Sequence, residues 1–153
     1  VTTSWRRLLA LGAADRRLLV ETALAILRAR LELRLVPFAV LRQRMDEARP
    51  SRRAAPQDLD RVAWAVAAVA RRLPGMTCLV QSLAALALLR RRGYRPELHI
   101  GVRGRGSGAA VPLDAHAWVE CDGRVVAGEV DDLAAYGRLQ PVGPPATAAP
   151  GSS

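Results

Sequence analysis

At 153 residues, half of them hydrophobic, the chain is long enough for one domain with a substantial core. The formal net charge of +9 is carried by arginine, with no lysine anywhere. It calls for an acidic partner without choosing among acidic peptide, nucleic acid and membrane surface. Two cysteines make no disulfide framework, which suits a reduced compartment, and no apolar run reaches the length of a membrane span, so the expectation is a soluble, cytoplasmic protein.

The first segment imitates a signal peptide only faintly. Its apolar run from Leu8 to Ala14 is short, and Asp15-Arg16-Arg17 ends it. Thr3 or Ser4 is placed to cap a short helix carrying Leu8, Leu9 and Leu11. Asp15 is then expected to cap a longer helix to about Leu35, with Leu18, Leu19, Thr22, Ala23, Ile26, Leu27, Leu31 and Leu35 as its core stripe. Pro37 stops it. Phe38–Met45 reads as another helical turn or two, and the polar, Pro- and Arg-rich stretch Glu47–Ala55 as a loop. Pro56 at the first helical position opens a helix from Gln57 to Leu73 with Leu59, Val62, Ala63, Val66 and Val69 inward.

Pro74-Gly75 marks a turn, and a long apolar run follows it. Leu79, Leu83, Leu86 and Leu89 recur at helical spacing, while Arg90-Arg91-Arg92 suits the negative end of the helix dipole and Gly93 the residue just beyond it. Cys78 falls at or near the first turn of this helix. Unpaired backbone N–H groups there favour a thiolate, which can bring a cysteine from about 8.5 into the range of roughly 3.5–7.5.

After Gly93 the period changes from helical to alternating. Glu97–Val102 sets Leu98, Ile100 and Val102 against Glu97, His99 and Gly101, the pattern of a half-buried strand. Arg103–Ala110 is a glycine-rich loop that lacks the lysine and the flanking elements of a phosphate-binding signature. Asp114–Glu120 is a second strand, Asp122-Gly123 a hairpin turn, and Val125–Ala127 a third strand. Pro141–Ser153 reads as a disordered tail. The expectation is one compact α+β domain. Residues 1–55 form its N-terminal helical region, 56–140 a core in which the Cys78 helix packs on a small antiparallel sheet, and 141–153 a tail.

A nucleophilic thiolate needs a partner that carries its proton to the leaving group. Of the two histidines, His99 lies on the first strand and His116 on the second. A two-residue turn at Asp122-Gly123 would pair residues whose numbers sum to 245. Cys121 then faces Arg124, Glu120 faces Val125, Trp118 faces Ala127 and His116 faces Glu129. Glu129 is thus the expected acid beside His116, and Asp131, on the same face, the alternative; a bulge would shift the register. Cys121, at the turn, is expected to be a small exposed or half-buried residue, and Trp118 a core residue. No pair among Cys78, His99, His116 and Cys121 has metal-ligand spacing, and no cofactor is implied.

The segment C-L-V-Q-S-L-A-A-L-A-L-L-R-R-R-G-Y-R-P-E-L-H-I-G-V from Cys78 to Val102, followed by A-H-A-W-V-E-C-D-G from Ala115 to Gly123, resembles the lasso-peptide biosynthesis B2 proteins. These are leader peptidases of the transglutaminase-like superfamily. L-R-L-V-P-F near Pro37 and A-R-R-L-P near Pro74 share the likeness. It implies a transglutaminase-like, papain-like core and a protease with Cys78 and His116 as its reacting pair. The substrate implied is the leader region of a ribosomally made precursor peptide. A separate leader-binding B1 protein delivers that precursor, and a macrolactam cyclase acts afterwards. The family pattern places an Asp about a dozen residues after the histidine; Gly128 stands there in this chain, with Glu129 adjacent. Gln81 is one source of a side-chain donor to the oxyanion. The rival readings are acyl transfer by the same residues and a non-catalytic module that binds a peptide. Nucleic-acid binding ranks below these, since no aromatic RNA-binding pattern accompanies the arginines.

Overall fold

The computed structural model describes residues 12–37, 40–41, 52–104, 113–130 and 132–138. Three helices, α1 (Ala13–Leu35), α2 (Pro56–Ala70) and α3 (Cys78–Arg91), precede the strands β1 (Glu97–Gly104), β2 (Leu113–Cys121) and β3 (Arg124–Ala127). A 3-10 turn at Leu133–Ala135 leads into the two-residue strand β4 (Gly137–Arg138). The sheet has the order β3-β2-β1-β4; β2 pairs antiparallel with β1 and β3, and β1 with β4. This is an α+β fold, helices on a small antiparallel sheet, with the architecture of the transglutaminase-like core.

The central helix is α3, which packs against α1, α2 and the three long strands. It is buried on most sides: Val80, Ser82, Leu83, Ala84, Ala85, Leu86, Leu88 and Leu89 are all buried. Its start is fixed by Thr77, whose hydroxyl accepts from the Val80 amide. Its end is fixed by Gly93 at φ +80°, after which Tyr94 N–H bonds back to Leu89 O. One core cluster joins α2 and α3 to Val119, Cys121, Val126 and Ala127 of the sheet. A second joins α3 to Ile26 and Ala29 of α1 and to Leu41. Cys121 is therefore a core residue, 2% exposed, rather than a turn residue at the surface. Burial raises its thiol above the ordinary range, with the charge of Asp122 adding to the effect.

Helix α1 runs where the sequence places it but differs in start and in phase. It begins at Ala13 after Gly12, with no side-chain cap, and Asp15 sits inside the first turn, paired with Arg61 of α2. The inward row is Leu18, Thr22, Ile26 and Ala29. Leu27, Leu31 and Leu35 of the expected stripe are exposed, in one row with Val20 and Leu24. Thr22 meets the cost of burying a hydroxyl by donating to Leu18 O at 2.7 Å. Helix α2 begins at Pro56 as its ring geometry favours, buries Leu59, Val62 and Val66, and stops at Ala70, three residues short of Leu73. Of the segment Phe38–Met45, Val40 and Leu41 are helical and the rest lies outside the described residues. So do the short helix expected before Ala13, positions 105–110 of the expected glycine-rich loop and the tail, whereas Arg103 and Gly104, expected to open that loop, are the end of β1. The 3-10 turn and β4 were not legible, for their residues carry neither period.

The phase of α1 can be measured by paired truncations. Ile26→Ala should cost about 2–5 kcal/mol of unfolding free energy, since Ile26 is 0% exposed. Leu27→Ala, 63% exposed, should change it by no more than ~0.5 kcal/mol. Equal losses in urea titrations of the two variants would contradict the observed phase.

Candidate functional site

Cys78 is the first residue of α3 and is half-buried. The opening N–H groups of any helix lack carbonyl partners in the preceding turn, and at α3 the Thr77 hydroxyl takes that of Val80. One turn further along, Ser82 interrupts an apolar run. Its hydroxyl is fully buried and donates to the carbonyl of Ala117 at 3.0 Å. Ala117 is the neighbour of His116 on β2. A single hydrogen bond therefore ties the first turns of the cysteine helix to the strand that carries the histidine. The sequence held a signal for this, a serine one helical turn after Cys78 inside a leucine–alanine stretch.

Along β2, side chains alternate. Val119 and Cys121 enter the core shared with the helices, whereas His116 and Trp118 stack on each other with ring centroids 6.3 Å apart. The His116 ring also packs on Tyr136 at 5.3 Å, and Trp118 on His99 at 5.4 Å. Gly101, opposite His116 on β1, leaves the space that Tyr136 and the Trp118 ring fill; a Cβ there would lie 2.8 Å from Tyr136 Cβ. Trp118 is 1% exposed, and its indole N–H donates to Glu120, which also accepts from Arg138. Tyr136 donates to Asp114, and Arg103 binds the same carboxylate and lies over the Tyr136 ring. His116 is thus wedged in an aromatic layer whose polar edges are satisfied by Glu120 and Asp114. Of this layer, sequence reasoning found Trp118 but missed Tyr136, Glu120 and Asp114.

The β2–β3 register follows the turn for two pairs only. Cys121 faces Arg124 and Glu120 faces Val125 as the two-residue turn requires, but Val119 then faces Ala127. A bulge at Val119/Glu120 leaves Val126 without a partner, and Trp118 does not face Ala127. The pairing ends at Ala127, so Glu129 is not a ladder partner of His116. Instead Nε2 of His116 lies 2.6 Å from the carbonyl oxygen of Gly128. Glu129 is exposed, and Asp131 lies outside the described residues.

His99 has Nε2 buried without a hydrogen-bond partner, 3.6 Å from Glu120 and 3.7 Å from Glu97. Gln81, half-buried on α3, makes no side-chain hydrogen bond among the described residues. Among the described residues Cys78 makes no side-chain hydrogen bond either, to His116 or to anything else, and no group of three or more His, Cys, Asp or Glu is placed to hold a metal ion. Two concavities lie elsewhere. One, about 360 Å³, is lined by Arg17, Glu21, Asp58, Arg61, Arg91 and Arg92. The other, about 400 Å³, has an apolar floor including Leu24, Leu41, Leu83 and Leu86.

The family model of the transglutaminase-like superfamily matches residues 23–140, more than three quarters of the chain, including Cys78 and His116. The chain belongs to the transglutaminase-like superfamily. Within it, the match is to the family of the lasso-peptide B2 leader peptidases, as the motifs around Cys78 and His116 imply. Comparison with curated proteins and with solved structures gave no match. Membership in this superfamily supports a cysteine-peptidase-like role. No described helix of this transglutaminase-like chain is long and apolar enough to cross a membrane.

Two measurements probe the site directly. Gly128 and Gly123 have nearly the same φ, +80° and +78°, but a Cβ would lie 2.3 Å from Ala117 O at Gly128 and meet nothing within 4 Å at Gly123. Gly123→Ala should therefore cost about 1–2 kcal/mol for backbone conformation alone, and Gly128→Ala at least ~1 kcal/mol more for the collision, by chemical denaturation. In the native chain a thiol reagent should modify Cys78 well before Cys121, which should react only on unfolding; mass mapping of the labelled peptides checks the order.

Proposed function

We propose that the chain is a cysteine peptidase that removes the leader from a ribosomally made lasso-peptide precursor. The observation that carries this reading is a superfamily match that spans a helix-initial cysteine and a strand histidine. The Ser82–Ala117 bond that joins their two elements supports it. In this reaction the Cys78 sulfur attacks the carbonyl at the leader–core junction while His116 takes the thiol proton. His116 returns that proton to the departing amine, and water hydrolyses the thioester. Backbone N–H groups at the start of α3 stabilise the oxyanion. The two side chains come into contact when substrate is bound, as catalytic hydrogen bonds often tighten only in the substrate complex.

The partners under this reading are the precursor's leader region, a leader-binding B1 protein that delivers it and a macrolactam cyclase that acts on the released core. All work in the cytoplasm. The arginine excess suits an acidic leader or an acidic partner face.

The test is leader removal from the precursor in the presence of the leader-binding protein, followed by mass spectrometry. Cys78→Ala and His116→Ala should each lower the rate by about 10⁴-fold or more, as loss of a nucleophile or its base does elsewhere. Thermal unfolding within a few degrees of the parent would show that the fold is kept. Full cleavage by Cys78→Ala would refute the peptidase. A product carrying an added amine in place of water would mark acyl transfer instead.

A further inference from the structure

We propose that the main-chain carbonyl of Gly128, rather than any carboxylate, is the group that orients His116. The inference rests on the reading of Cys78 and His116 as the reacting pair and supplies that pair with its third member. Gly128 acts as a positioning residue: its oxygen touches the imidazole and not the substrate.

Three observations meet at this point. The first is the contact itself, Nε2 of His116 to Gly128 O at 2.6 Å. A carbonyl oxygen only accepts, so Nε2 carries the proton and donates it. A neutral imidazole has one N–H, which leaves Nδ1 with its lone pair free to act as base.

The second is how Gly128 is seated. Its backbone lies at φ +80°, and a Cβ would lie 2.3 Å from Ala117 O, 2.8 Å from Trp118 Cα and 3.0 Å from Trp118 Cβ. A side chain, acidic or otherwise, has no room here; the main chain itself is pressed against β2. The bulge that leaves Val126 unpaired sets this geometry, because it advances the chain after β3 by one residue relative to β2.

The third is that the ring stacks on Trp118 and packs at a tilt against Tyr136, so one hydrogen bond suffices to fix its orientation. Glu129, adjacent in sequence, is exposed and makes no hydrogen bond or ion pair with His116.

The proton bookkeeping closes without an acid. As the Cys78 S–C bond forms, the thiol proton passes to Nδ1, and the ring holds both protons while Nε2–H stays on Gly128 O. As the C–N bond breaks, Nδ1 gives its proton to the amine. In the second half, water loses a proton to Nδ1 as its oxygen bonds the thioester carbonyl. The C–S bond then breaks, and that proton returns to sulfur. The carbonyl accepts a hydrogen bond throughout and never takes the proton, as the orienting acid of a serine-protease triad also does not.

Ring ¹⁵N NMR on the full chain tests the tautomer. The chain has only two histidines, and a His99→Gln variant assigns them. With the ring neutral, His116 should show a protonated Nε2 and an unprotonated Nδ1; the opposite tautomer overturns the proposal. Leader removal supplies the second readout. Glu129→Gln, Asp131→Asn and the double variant should each stay within about tenfold of the parent, whereas loss of a true orienting acid, which favours the wrong tautomer, costs about 10⁴-fold. A larger loss than tenfold in any of them overturns the proposal. The two readings fail separately. Cleavage that survives Cys78→Ala removes the peptidase itself. Cleavage abolished by Cys78→Ala and also by Glu129→Gln or Asp131→Asn removes only the role given to Gly128.

Discussion

The buried bond from the Ser82 hydroxyl to Ala117 O fixes the one relationship on which a thiol–imidazole site would depend. A helix packed on a sheet through leucines and alanines alone can slide by a fraction of a turn at little cost, because apolar contact has no direction. A hydroxyl with no exposure has no such freedom. Left without its acceptor it would cost about 1–3 kcal/mol, so it locks α3 against β2 at one register. Cys78 sits four residues before that lock and His116 one residue before its acceptor, so the same bond sets both.

The second constraint is the bulge between β2 and β3. Pattern and turn chemistry predict a plain two-residue hairpin, and the first two pairs obey it. The departure comes at Val119/Glu120, and nothing in the alternation of Val125, Val126 and Ala127 announces it. Those three residues are all apolar, so the strand can gain a residue without sending a polar group inward. Val126 and Ala127 are both buried, an arrangement that strict alternation forbids and a bulge permits. The one hint in the chain is Gly128 itself. A glycine directly after a strand is often a place where backbones approach closely, and here the distance to β2 leaves no room for a Cβ.

Legibility followed the strength of the local signal. The cysteine helix was readable because Pro74-Gly75 and Gly93 punctuate it and its residues are apolar on nearly every side. Strand β1 was readable from its period of two, and β2 and β3 from the Asp122-Gly123 turn between them. The phase of α1 was readable only in part: Leu18, Thr22 and Ile26 of the expected stripe face inward, but Ala23, Leu27, Leu31 and Leu35 are exposed. That helix carries two apolar rows, Leu18-Thr22-Ile26-Ala29 and Val20-Leu24-Leu27-Leu31-Leu35. The exposed row is the more hydrophobic of the two, because the buried row contains a threonine and an alanine. The tertiary contacts with α2 and α3 select the row that is inward, where small residues allow close packing. Hydrophobicity alone would choose the other.

The aromatic layer over β2 explains why a histidine at this place is held so firmly. Trp118 is pinned through its indole N–H to Glu120, Glu120 through Arg138, and Tyr136 through Asp114. Each ring that touches His116 is therefore itself tethered at its edge. The imidazole can tilt little without displacing a tethered neighbour, and its hydrogen bond among the described residues runs to main chain. That rigidity has a chemical consequence. A charged partner would stabilise the doubly protonated ring strongly; a carbonyl does so weakly, because it offers a dipole rather than a charge. In the proposed reaction the carbonyl therefore orients the ring without setting a second fixed charge beside it, and the direction of the Nε2–H bond alone decides which ring nitrogen is left to face the thiol.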